Sequence, residues 1–82
     1  MEMKDLITYI AKLLVDQPDL VKVTEVEGET TSIIELSVAK EDIGKIIGKQ
    51  GKTATAIRTI MNVASNKMKR RSVLEIIDIM DD

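Results

Sequence analysis

The sequence predicts an α+β domain of element order αββααβ, with three helices packed on one face of a three-stranded mixed sheet. Three observations predict it. The 82 residues, 44% hydrophobic and 32% charged, suffice for one modest core and are too apolar for a disordered tail. Apolar residues recur at helical spacing in three segments, while three others are β-branched or alternate. Turn-forming residues separate them at Gln17-Pro18-Asp19, Glu27-Gly28-Glu29 and Gly48.

Met3, Leu6, Ile7, Ile10, Leu13 and Leu14 place an amphipathic helix over residues 3–16, stopped by the Pro18 breaker. A strand follows from Leu20 to Glu27, and after a tight reversal at Gly28 a second strand sets Ile34, Leu36 and Val38 against Glu35 and Ser37. Lys40 to Ile47 reads as a short helix, because Ile43, Ile46 and Ile47 share a face and Glu41 and Asp42 favour the first turn. It ends at Gly48. A longer helix runs from about Lys52 to Met68, with an apolar arc of roughly 180°, wider than a surface helix needs. The excess either completes a helix buried on two sides or lines a groove or partner contact. Lys67 to Ser72 reads as a basic loop and Val73 to Met80 as the last strand. The final two strands frame a helical crossover, which suits parallel neighbours, and the first strand takes the other edge.

The net charge of −2 conceals a strong segregation. Residues 1–39 hold three lysines against eight acids, and residues 72–82 hold four acids and no base. Between them, residues 40–71 carry nine bases against Glu41 and Asp42, a net of +7. A basic centre between acidic ends suits one face meant for a polyanion. The chain has no Cys and no His, which removes disulfides, thiolate chemistry and the usual general base at neutral pH. No enzymatic activity, cofactor or metal is expected. The one aromatic residue, Tyr9, excludes a surface of stacked aromatic rings. No stretch reaches the ~20 apolar residues of a membrane span, and a cytoplasmic location is expected.

The stretch that carries chemistry is Gly44 to Thr53, with Gly44, Gly48 and Gly51 in eight residues. Gly48 and Gly51 bracket Lys49 and Gln50 between two helices, so a phosphate can approach bare backbone at the positive end of the second helix, beside Lys49 and Lys52. Gly51-Lys52-Thr53 matches the end of a P-loop, but the first glycine of that pattern would fall at Ile46. A helix-turn-helix remains open, with Thr55, Arg58, Thr59, Asn62 and Asn66 presented to DNA, as does a plain helical hairpin.

Ile46-Ile47-Gly48-Lys49-Gln50-Gly51, followed by Ile57 and Ile60, resembles the KH signature I-I-G-x-x-G-x-x-x-x-x-I-x-x-I. With an αβ unit ahead of the βααβ core, the whole chain looks like a type II KH domain of the bacterial KhpA-type single-KH family. The resemblance implies one domain over 1–82, made of an αβ extension (1–29) and a βααβ core (30–82). It implies single-stranded RNA as the partner, held by four residues of the loop, Gly48, Lys49, Gln50 and Gly51. Lys45, Lys52 and Thr53 flank them, Gly44 leaves room for the strand, Ile47, Ala54 and Ile57 form an aliphatic floor, and Lys69, Arg70 and Arg71 border the groove. For Ile46 and Ile57 core packing is the expected role, and for Ile47 the groove edge.

It further implies an RNA chaperone or post-transcriptional regulator, acting as a homodimer or with a larger KhpB/Jag-type KH protein through Ile60, Met61 and Ala64. Neither a membrane nor a small-molecule substrate is expected as a partner. An adaptor for an acidic protein is the alternative from another class. An enzyme would have to rely on Glu41 and Asp42, which are consecutive and point in different directions on a helix.

Overall fold

The computed structural model describes residues 2–77. Helix α1 (Met3–Leu14) precedes strands β1 (Lys22–Glu27) and β2 (Thr31–Ser37), helices α2 (Ile43–Ile47) and α3 (Lys52–Met68), and strand β3 (Arg71–Ile77). The sheet order is β1-β2-β3, with β1 antiparallel and β3 parallel to the central β2. This is the αββααβ arrangement with a mixed sheet that the hydrophobic pattern predicts.

Period-two alternation turns Val23, Ile34, Leu36 and Leu74 to the helix side, where they meet Ile7 and Ala11 of α1, Ile46 of α2, and Ile57 and Met61 of α3. Full burial of each Leu or Ile contributes about 1.5–3 kcal/mol. The opposite sheet face is left open, with Val26 and Val73 exposed.

Boundaries differ from the expected ones for identifiable reasons. Helix α1 ends at Leu14 rather than residue 16, because the amides of Asp16 and Gln17 donate to the Asp42 carboxylate at 3.2 and 3.0 Å. Val15 has already turned to extended backbone. Residues Pro18–Leu20 close a short 3-10 turn, so β1 begins at Lys22 rather than Leu20. Lys40–Asp42 is likewise a 3-10 turn leading into α2. The expected basic loop over 67–72 does not form. Lys67 and Met68 complete α3, and Arg71 and Ser72 pair with Thr31 and Ser32, leaving Lys69 and Arg70 as the link. Residues 78–80 of the expected last strand lie outside the described residues.

Candidate nucleic-acid interface

The Gly48–Gly51 turn joins α2 to α3 in conformations that only some residues tolerate. Gly48 has φ 77° and ψ 171°, a region open essentially to glycine alone. A Cβ on Gly48 would also lie 2.7 Å from the Thr53 backbone nitrogen. Gly51, at φ 75° and ψ 11°, is left-handed, but a Cβ there meets nothing within 4 Å. Gln50 is left-handed too, with φ 58°. The turn's bonds engage the amides of Gly48, Gly51 and Lys52. Those of Lys49 and Gln50, both exposed, remain for water or a ligand at the start of α3.

Gly44 is the informative glycine. It sits inside α2 with ordinary helical surroundings, and a Cβ there would touch nothing within 4 Å. Alanine in a helix interior is better by about 1 kcal/mol. No contact within the fold requires the bare backbone.

Lys49 and Lys52 are exposed around the turn, Thr53 is half-buried beside Gly48, and Ile47 is half-buried at the end of α2. Ile46 and Ile57 are in the core, and Ala54 is buried. Lys45 is engaged elsewhere: its ammonium lies 3.2 Å from Asp16 Oδ2 and 3.6 Å from Asp42 Oδ1. The hydrogen bond to Asp16 and then the Asp16 charge raise its pKa against a smaller opposing effect of burial, with a still smaller contribution from Asp42.

Arg70 is also engaged. Its guanidinium donates to Gly28 O and to Ser32 Oγ, both at 3.1 Å, and lies 3.7 Å from Glu27. It staples the β1–β2 turn to the end of α3. Lys69 and Arg71 are exposed on either side of it. The groove between α3 and β3 is lined by Arg58, Asn62, Arg71, Ser72 and Val73, and the helix face expected to meet DNA supplies Arg58 and Asn62 to it.

The wide apolar arc of α3 divides. Ala54, Ile57 and Met61 point into the core and Ala64 packs against it, whereas Ile60 and Val63 are 45% and 56% exposed. Met61, expected at a partner contact, is 1% exposed and cannot reach one, because it fills the space under the sheet.

Asp42 is the residue whose role the sequence hides. Its spacing suggests only a favourable charge in a first helical turn, yet its side chain is 1% exposed and receives the two amides that end α1. Burial alone raises its pKa, but these amides and the Lys45 ammonium outweigh that and hold the carboxyl below its ordinary value. A depressed folded-state pKa contributes stability above the unfolded value, about 3.9, and loses it as pH falls through the folded one. Asp42→Asn is therefore expected to melt at lower temperature than the parent at pH 7. The difference should shrink steadily below pH 4 in paired thermal melts.

Among the described residues no group of three or more His, Cys, Asp or Glu is placed to hold a metal ion, and no helix is long and apolar enough to cross a membrane.

Comparison with known proteins agrees with this fold. Residues 4–76 match the family model described as KhpA/KhpB, KH domain. The chain is 57% identical over 75 residues to the RNA-binding protein KhpA of Clostridium acetobutylicum, covering 92% of this chain and all of that one. It is 55% identical over 75 residues to that of Caldanaerobacter subterraneus, with the same coverage. Identity to that of Aquifex aeolicus is 50% over 76 residues, 93% of this chain and 96% of that one. No solved structure matches. These are non-enzymatic relatives, and the chain belongs to the KhpA/KhpB family of KH domains.

Proposed function

We propose that this protein binds single-stranded RNA in the cytoplasm, clamping the backbone at Gly48, Lys49, Gln50 and Gly51 and laying the strand between α3 and β3. The observation that carries this reading is Gly44. A helical glycine that the fold does not need, next to a turn with two unclaimed amides and two exposed lysines, leaves room for a sugar-phosphate chain. Ile47 offers the bases aliphatic contact, while Lys52, Thr53, Lys69 and Arg71 supply charge and polarity at the borders. Lys45 and Arg70 act in this reading as structural pins. The names of the relatives support RNA as the ligand.

The experiment is a titration of labelled oligouridylate by fluorescence anisotropy, with Gly44→Ala as the discriminating variant. Its melting temperature is expected to rise, since the helix gains up to about 1 kcal/mol. Its RNA affinity is expected to fall about tenfold as the new methyl group meets the strand. Equal affinity in the variant and parent overturns the reading. With roughly three phosphates neutralised, log K should fall against log salt with a slope of about −2.

A chaperone or post-transcriptional role, as a homodimer or beside a larger KhpB/Jag-type partner, accords with weak single sites that are strengthened by linkage. The exposed Ile60 and Val63, with Ala64 beside them, are the surface for it. Sedimentation velocity is expected to show a concentration-dependent dimer that Ile60→Asp reduces to monomer. A parent chain monomeric at every concentration removes self-association.

A further inference from the structure

At the far end of α3, about 20 Å from the Gly48–Gly51 turn by helix rise, a recess of about 580 Å³ opens where the helix meets the start of β3. Asn62, Ser65, Asn66, Lys69, Arg71 and Ser72 line it, together with Arg70. The lining holds cations, carboxamides and hydroxyls and no carboxylate, so hydrogen-bond donors dominate. Lys69 and Arg71 have no acidic partner among the described residues. The carbonyls of Ser65 and Asn66, which would repel an anion at a helix end, already accept the amides of Arg70 and Lys69.

The second observation is Ser65. It is 3% exposed, and its hydroxyl has no hydrogen-bond partner, the sole such buried side-chain atom among the described residues. Buried hydroxyls are nearly always satisfied, and one left idle in the wall of a donor-rich recess points to a ligand that supplies the acceptor. Asn62, Arg71 and Ser72 also line the adjoining recess of about 200 Å³ with Arg58 and Val73. The two recesses therefore form one path along the helix.

We propose that the recess is a second phosphate subsite, which holds a phosphodiester of the same RNA strand beyond the four nucleotides clamped at the glycine turn. This rests on the RNA reading above. Asn66 and the Ser65 hydroxyl donate to the phosphate oxygens, and Lys69 and Arg71 neutralise the charge. The Arg70 staple fixes the short link that sets these two cations on either side.

The test compares U4 and U8 oligonucleotides without terminal phosphates. Sliding alone gives U8 about a fivefold advantage, from the five registers of a four-nucleotide site. The parent is expected to gain about thirtyfold on lengthening, with a salt slope steeper by about 0.7 for the added phosphate. The double variant Ser65→Ala and Asn66→Ala is expected to bind U4 as the parent does and to keep only the fivefold gain. Its melting temperature should not fall through Ser65, since an idle buried hydroxyl is removed. Asn66→Asp, an exposed change outside the clamp, sets a carboxylate in the recess, should lose the extra gain on lengthening and serves as the second variant.

A full U8 gain in both variants overturns the subsite. So does a parallel loss of U4 and U8 binding in the double variant, and so does a gain independent of salt, which would place a base there. A parent that binds neither oligonucleotide removes the RNA reading itself and the subsite with it.

Discussion

Changing Lys49 and Gln50 together to Asp is expected to abolish RNA binding, by a hundredfold or more, while leaving the fold intact. The charge at the turn changes by −3. A phosphate that had met an ammonium and two free amides then meets two carboxylates. Loss of one charge-assisted hydrogen bond and the added repulsion amount to about 3 kcal/mol, each 1.4 kcal/mol being tenfold. The fold should tolerate the change because both side chains are exposed, and because Asp accepts the left-handed conformation of Gln50 better than most residues do. Anisotropy titration at fixed salt, paired with thermal melting, measures both halves. Unchanged affinity would refute the clamp. Association with a protein partner that survives the double change would favour the adaptor reading.

The second large effect is expected at Gly48, and it should fall on stability. Gly48→Ala puts a methyl group into a glycine-only region of backbone and against the Thr53 backbone nitrogen, which no rotamer change relieves. Strain in such a region costs about 1–3 kcal/mol before the clash is counted. A domain of this size is stable by roughly 5–10 kcal/mol, so denaturant titration should show a large loss or a reshaped turn. Gly51→Ala is the control. It shares the positive φ but meets open space, so its cost is confined to about 1–2 kcal/mol of left-handed strain. Equal losses at the two positions would mean that Thr53 does not pack as described. The contrast separates the cost of a positive φ, common to both positions, from the clash with Thr53, met only at Gly48.

Much of this molecule is local information. Alternation of Ile34 and Leu36 with Glu35 and Ser37, and the helical recurrence of Ile7, Ala11, Ile57 and Met61, commit each segment to a shape and a buried side, because side-chain period follows from backbone geometry. The glycine turn was legible for the same reason, since Gly48, Gly51 and the lysines around them are consecutive. The apolar arc of α3 is legible as too wide, and Ile60, Val63 and Met68 belong to its unburied part.

What tertiary structure alone decided are contacts between residues far apart in the chain. The Asp42 carboxylate ends α1 two residues early, 25 and 26 positions from the amides it accepts, and takes Lys45 out of the expected binding set. Arg70 turns to Gly28 and Ser32, and β2 draws Arg71 into the sheet, so the basic loop becomes a two-residue link. The recess around Ser65 exists only because α3 and β3 meet there. Periodicity records which way a side chain faces along its own element. It holds nothing about which distant partner satisfies a charge or leaves a hydroxyl idle, since packing sets that pairing.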